Sequence, residues 1–275
     1  MLELPESLTI ARQLCETVRG KQICSVIANQ TPHKFAFYSG DPASYDALLR
    51  GRILGDSTGI GALVEIDAGD RSIVLGDGVS LRYLQDIGNA PHHHQLLIEF
   101  ADGSALVCTI QMYGMLWAFP KGSGDNPHYL TSRNALPPLT AAFDFPHFDT
   151  LRTEHTRRLS AKAFLATEQR IPGLGNGVLQ DILFNARIHP KRRIETLSER
   201  EYEGLYHAVK ATLADMADAG GRNTEKDLFG HPGGYETILS RNTAGSPCPV
   251  CSEEIQKSAY LGGSVYWCPH CQPSL

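Results

Sequence analysis

In PESLTIARQLCETVR, residues 5–19, apolar side chains recur at Leu8, Ala11, Leu14, Cys15 and Val18. Spacings of three and four predict an amphipathic helix, and Pro5 and Glu6 suit its first turn. From residue 20 to residue 120 the period shortens. QICSVIANQ, ALVEIDAG, SIVLGDG, QLLIEFADG and ALVCTIQMYG are short runs rich in β-branched types, punctuated by Gly and Asp. They predict strands, and ADGSA between two of them predicts a hairpin. The whole stretch reads as an antiparallel β-sandwich. Residues 121–150 are rich in Pro, Gly and Asn (KGSGDNPHYL, NALPPLT, DFPHF) and read as a long loop or linker. Beyond them the period is helical again, in RLSAKAFLATE, GVLQDILFNARI and SEREYEGLYHAVKATLADMADAG, with Ser160 and Ser198 placed as N-caps. No internal repeat is visible.

Composition narrows the class. The chain has 275 residues, 42% apolar and 20% charged, which fits a globular protein of two domains. No run approaches the roughly 18 apolar residues of a membrane span, and no basic segment followed by an apolar run opens the chain. The cytoplasm is the default expectation for such a chain. The net charge of −5 does not advertise a nucleic-acid binder. The halves differ, however: residues 1–150 hold ten basic against sixteen acidic side chains, and residues 151–275 hold fifteen against fourteen. A polyanion would meet the second half more easily. Of the seven cysteines, Cys15, Cys24 and Cys108 lie among apolar neighbours and read as buried reduced thiols.

The other four carry chemistry. Cys248, Cys251, Cys268 and Cys271 form C-x2-C-x16-C-x2-C, two knuckles that complete a tetrahedron around structural zinc. The set is closed, so such a metal would not be catalytic. IQKSAYLGGSVYW between the knuckles alternates like a hairpin with a Gly-Gly turn. RIPGLGNGVLQDILF, residues 170–184, places Gly173, Gly175, Asn176 and Gly177 before a helix. Open backbone N–H groups at a helix start bind phosphate oxygens, and Asn176 can donate from its side chain. Alone, this is also an ordinary turn between helices. Lys191, Arg192 and Arg193 follow in IHPKRR, either as a solvated run or as contacts to backbone phosphate. His92, His93 and His94 are consecutive and so alternate faces on a strand, which speaks against one shared metal ion.

Taken together, LELPE at the start, a β-rich domain, IPGLGNGVLQDILFNARIHP and a terminal hairpin ending WCPHCQ resemble the formamidopyrimidine-DNA glycosylase and endonuclease VIII family. The resemblance covers nearly the whole chain. It implies an α+β multidomain fold: an N-terminal helix and antiparallel β-sandwich over 1–130, a linker over 131–150, a helix–two-turns–helix DNA-binding domain over 151–240, and a four-cysteine zinc finger over 241–275. It implies a monomer associated with the nucleoid, a partner, double-stranded and damaged DNA, and a function, base excision repair by a DNA glycosylase and abasic-site lyase. In that chemistry a base is flipped out, an N-terminal amine attacks the sugar, and a glutamate beside it moves protons. Met1, Leu2, Glu3 and Glu6 stand where the family keeps those groups. Gly175, Asn176, Gly177, Lys191, Arg192, Lys257 and Gly263 are the implied DNA-binding positions. Tyr83, Gln111, Met112 and Tyr113 would fill the gap left by the flipped base.

The departures are specific. The family's N-terminal proline is replaced by Leu2, and a bulky second residue normally blocks removal of Met1. The family's lysine falls near Ile60, and the hairpin arginine that grips phosphate is replaced by Gly263. Arg222 and Lys226, in GGRNT and EKDLFGH, lie on a loop over the cleft and could meet phosphate or solvent. Three readings stay open. One is an enzyme with an atypical amine nucleophile. Another is a hydrolytic variant in which Glu3 or Glu6 orients water. The last is a catalytically inactive module of the same fold that binds damaged DNA.

Overall fold

A computed structural model describes residues 1–274. Helix α1 spans Leu4–Thr17, close to the expected bounds. Strands β1 (Ile23–Ala28) and β2 (Ala36–Tyr38), the short helix α2 (Tyr45–Leu49), and strands β3 (Ser57–Ile60), β4 (Leu63–Asp67), β5 (Arg71–Gly76) and β6 (Val79–Leu84) follow. Then come β7 (Leu96–Phe100), β8 (Ala105–Ile110) and β9 (Gly114–Pro120). They form two sheets, in the orders β1-β7-β8-β6 and β2-β9-β5-β4-β3. The β7–β8 hairpin is at ADGSA, as its turn residues predict. One pairing departs from the antiparallel rule: β2 runs parallel to β9.

Alternating side chains fill the space between the sheets. Ile73 and Leu75 of β5 and Leu116 and Ala118 of β9 face Ile98 and Phe100 of β7 and Leu106 and Cys108 of β8. The five-stranded sheet is covered on its other face too. Leu63, Val74 and Trp117 pack there against Tyr129 of helix α3 (Pro127–Asn134). That double burial explains why ALVEIDAG and SIVLGDG read as nearly continuous apolar runs.

The stretch 121–150 is therefore not a free linker. Besides α3 it holds α4 (Phe145–Thr150), whose Phe148 is fully buried beside Phe143, Phe164 and Tyr202. Its prolines start helices rather than break them: Pro127 and Pro146 sit in first turns, behind the caps Asn126 and Asp144. The helical part continues with α5 (Ala161–Ala166), α6 (Val178–Asn185) and α7 (Glu199–Asp218), capped by Ser160 at α5 and Ser198 at α7. It ends in a hairpin of β10 (Gln256–Tyr260) and β11 (Gly263–Trp267). No helix among the described residues is long and apolar enough to cross a membrane.

Helix α1 belongs to both halves. Ile10, Ala11, Leu14 and Val18 enter the sandwich core, whereas Leu4 enters the helical core. Two glycines make the junction tight: a Cβ on Gly173 would lie 2.6 Å from the carbonyl carbon of Gly61. The start of α1 is thereby fixed at the floor of the cleft between the halves. Cys24 departs from expectation. It is exposed on β1, next to the irregularity between Ile23 and Ser25, whereas Cys108 is buried and Cys15 half-buried.

Candidate nucleic-acid interface and active site

The first residues are held by backbone bonds before any side chain acts. Leu2 N donates to Asp77 O at 2.7 Å, and Leu4 N donates to Gly173 O at 2.9 Å. The Leu2 side chain is buried, which leaves Met1 at the cleft surface. The Met1 amine pairs with the Glu225 carboxylate. The cleft above it has a volume of about 540 Å³ and carries the cations Arg82, Lys226 and Arg241 on its walls.

Glu3 and Glu6 point inward. Glu3 caps the start of α6, accepting from Gly177 N at 2.8 Å and Val178 N at 2.7 Å. Glu6 accepts from Glu3 N at 3.2 Å, and from Arg222 through N (3.0 Å), Nε (3.0 Å) and Nη2 (2.8 Å). Arg222 Nη1 lies 3.5 Å from Glu3 Oε2. All three side chains are buried. Burial pushes the Glu3 carboxyl up, and the Glu6 charge adds to that; Arg222 and the two amides oppose it. Burial also works against the Arg222 charge, but the two carboxylates outweigh it and hold the guanidinium above its usual range. A cation in the interior between two acids is a clamp that ties α1, α6 and the segment after α7 together.

Several sequence expectations change here. Arg222 does not wait on a loop for phosphate; it is the core of the clamp. Its signal was indirect, because two acids at the start of a buried helix require a cation. Ile60, where the resemblance implies a lysine, is packed against the Leu63, Val74 and Trp117 cluster instead. The amides of Gly177 and Val178 are occupied by Glu3, so they are not open to phosphate. The glycines are needed for the protein's own groups. A Cβ on Gly175 would meet Glu3 at 2.7 Å, and one on Gly177 would meet Arg222 at 1.5 Å.

Asn176 and Gly263 are brought together. Asn176 Nδ2 donates to Ser264 O at 3.1 Å, and a Cβ on Gly263 would lie 3.3 Å from Asn176 Oδ1. Gln180 reinforces the joint, donating to Ser264 O at 3.2 Å and accepting from Tyr266 N at 3.1 Å. Lys191 is exposed, its Nζ 5.3 Å from the Tyr260 ring, and Lys257 is exposed beside Tyr266 at 5.8 Å. Arg192 does not join them. Its guanidinium is taken up by Glu201, at 2.6 and 2.9 Å, where it braces the start of α7.

Gln111, Met112 and Tyr113 form the β8–β9 tip, and Met112 is 65% exposed. Tyr113 touches the start of the chain, its hydroxyl 3.7 Å from Met1 Sδ. Tyr83 is not at this tip. It lies opposite Leu106, whereas the tip follows Ile110, the partner of Val79 at the other end of β6. Four strand residues separate the two places by about 13 Å. Tyr83 instead packs edge-on against Phe229 and accepts from Lys21 Nζ at 3.3 Å. The turn that does meet the tip is Asp77–Gly78: a Cβ on Gly78 would lie 2.0 Å from Tyr113 O.

The four C-terminal cysteines converge, with all ligand sulfurs within 4.8 Å of one another. The pairs Cys248–Cys271, Cys251–Cys268 and Cys251–Cys271 measure 3.8, 3.3 and 3.6 Å. A tetrahedral tetrathiolate with bonds of about 2.3 Å has sulfur edges of about 3.8 Å, so the set fits one metal ion. Among the described residues no other His, Cys, Asp or Glu group is arranged this way. His94 is buried and bonded to Pro91 O at 2.8 Å.

Comparison with known proteins agrees with this architecture. Residues 135–227 match the family model described as the formamidopyrimidine-DNA glycosylase H2TH domain. The formamidopyrimidine-DNA glycosylase of Symbiobacterium thermophilum is 31% identical over 99% of this chain and 90% of its own length. That of Alkalilimnicola ehrlichii is 30% identical over 99% and 100%. The crystal structure of the MutM (Fpg) protein of Thermus thermophilus superposes with a TM-score of 0.82 at 26% identity, covering 98% of each chain. A Lactococcus lactis Fpg bound to DNA containing an abasic site shares the fold, with a TM-score of 0.83 at 23% identity over 99% of this chain and 100% of that one. With its capped N-terminal helix, paired sheets, helical domain and four-cysteine hairpin, the chain belongs to the formamidopyrimidine-DNA glycosylase family.

Proposed function

We propose that this protein is a DNA glycosylase and abasic-site lyase of base excision repair, acting on damaged sites in double-stranded DNA with the α-amine of Met1 as its nucleophile. One observation carries the reading. The Met1 amine stands at the floor of a cation-lined cleft, while Leu2 N is engaged by Asp77 O and the Leu2 side chain is buried. The amine would form a bond to the sugar C1′ as the base leaves, and elimination from the resulting imine would cut the strand. Glu3 and Glu6 act from below, fixing the start of α1 through Arg222.

The tip Gln111–Met112–Tyr113 enters the duplex where a base has been flipped out, by stacking and apolar contact. Asn176, Lys191, Lys257 and the hairpin turn at Gly263 hold the backbone, and the exposed cations make binding salt-dependent. The metal is zinc, held by Cys248, Cys251, Cys268 and Cys271 in a structural role. The protein works as a cytoplasmic monomer. One feature favours the alternative of a module that binds lesions without chemistry: both family-position acids are sealed in the Arg222 clamp.

An end-labelled duplex with one abasic site tests both points. Strand cleavage by elimination supports the enzyme; tight binding without cleavage supports the binding module. Asn176→Ala should weaken binding to a duplex with a stable abasic analogue by about tenfold, the value of one good phosphate contact. Unchanged affinity removes Asn176 from the DNA surface.

A further inference from the structure

An amine attacks through its lone pair, so an ammonium must first give up a proton to a base within hydrogen-bond reach. Among the described residues, one carboxylate touches the Met1 amine, and it belongs to Glu225. Glu3 cannot reach over: its two oxygens hold the amides of Gly177 and Val178. Glu6 holds Glu3 N and three groups of Arg222. We propose, on the reading of Met1 as nucleophile, that Glu225 is the acid–base group of this site. The role that the resemblance implied for Glu3 or Glu6 passes to a residue more than two hundred positions away in the chain.

The loop that carries Glu225 is built to hold it. It leaves α7 through Gly220 and Gly221, both with positive φ (76° and 97°). It folds back so closely that a Cβ on Gly233 would lie 2.2 Å from the Gly221 carbonyl carbon. Glu225 N donates to Arg222 O at 3.0 Å, and Gly233 N donates to Glu225 O at 3.2 Å. Further along, Arg82 Nη1 donates to Asp227 O at 2.9 Å, and Gln13 Nε2 donates to Asp227 Oδ2 at 2.9 Å. The carboxylate thus stands on a segment anchored to α1, β6 and its own base. A stiff mounting of this kind keeps a base aligned with its nucleophile.

The proton balance closes without a further reagent. Glu225 takes one proton from the Met1 ammonium. The freed lone pair adds to C1′ of the open-chain aldehyde of an abasic site, and one of the two protons left on that nitrogen passes to the aldehyde oxygen, which becomes the C1′ hydroxyl. Glu225 then returns the proton to the C1′ hydroxyl, which leaves as water when the protonated imine forms. Ammonium and aldehyde have become iminium and water, and Glu225 is again a carboxylate. The charged and titratable groups facing the pair are Arg222 and Lys226 from the same loop, Glu3 and Glu6 from α1, and Arg82 from β6. Tyr113 faces it from the β8–β9 tip, and Arg241 from the cleft wall.

The test uses full-length protein with an untagged first residue, an abasic-site duplex, and cyanoborohydride trapping under single-turnover conditions from pH 5 to pH 9. Glu225→Gln should bind the stable abasic analogue within about twofold of wild type and form the trapped adduct about 100-fold more slowly at pH 7. Glu225→Asp, which keeps a carboxylate, should recover most of the rate. Equal rates for wild type and Glu225→Gln overturn the proposal. So does a loss of affinity that matches the loss of rate, because Glu225 would then be holding DNA rather than a proton. No adduct from wild type at any pH removes the nucleophile itself, a failure distinct from that of Glu225.

Discussion

Glu3, Glu6 and Arg222 show how much one residue can carry. Each is costly to bury alone, and together they leave few polar atoms without a partner. Arg222→Met should therefore destabilise the protein by about 3–5 kcal/mol in urea unfolding, since two carboxylates are left without their cation. Adding Glu6→Gln should recover part of that loss, and additive losses would show that the clamp is not one unit. Asp181 is a second buried acid, accepting from Ile238 N at 2.8 Å and Leu239 N at 2.7 Å. Burial pushes its carboxyl up from 3.8 to about 6, against those amide bonds. The folded chain thus binds this proton more tightly than the unfolded chain. The resulting stability is fully present below about pH 4 and is lost as pH rises through about 6. Relative to the non-titrating Asp181→Asn, wild type should lose on the order of 2–3 kcal/mol between pH 4 and pH 8. Parallel stability–pH curves for the two proteins would contradict the shifted carboxyl. None of these partnerships is legible locally: Glu6 and Arg222 are 216 positions apart.

Elements were legible where their signals are local. Helices α1, α6 and α7 declare themselves by period, and Ser160 and Ser198 by their capping positions, because both signals lie within a few residues. The strands with uninterrupted β-branched runs were equally visible. Short β2 and β3 were not, because so few residues establish little alternation. Helices α3 and α4 were hidden by their own prolines, which suit a first turn as well as they suit a loop. The same pattern holds at the site. The cysteine spacing announces a metal tetrahedron, whereas only the strand register reveals that Tyr83 lies at the far end of β6 and that the Asp77–Gly78 turn is what meets the β8–β9 tip. Junctions between elements are the least visible of all. At the Gly61–Gly173 contact, Gly173 has φ 79° and no room for a methyl group. Gly173→Ala should cost roughly 2 kcal/mol or more and loosen the seat of α1. A melting temperature equal to that of wild type would mean that the two halves are not joined there.

Under the function proposed above, the two halves would hold DNA from opposite sides of one floor. The sandwich would offer the tip at Met112, the helical half Asn176 and the hairpin, and α1 would carry the reacting end between them. The hairpin is tied to α6 by Asn176 and Gln180, so a metal held by the four cysteines would also position the proposed backbone grip. Purified protein should contain one equivalent of zinc by elemental analysis. Cys268→Ala should lose it, together with most DNA affinity, while the sandwich keeps its β-sheet signal in circular dichroism. Full affinity without metal would separate the hairpin from DNA binding.

In the proposed mechanism the amine at residue 1 does the chemistry. Its most direct test is to reduce the complex with abasic-site DNA using borohydride, digest it, and locate the attached sugar by peptide mass spectrometry. The expected result is a single adduct on the α-nitrogen of a retained Met1. An adduct on the nitrogen of Leu2, on a lysine such as Lys226 in the cleft wall, or no adduct at all would contradict it.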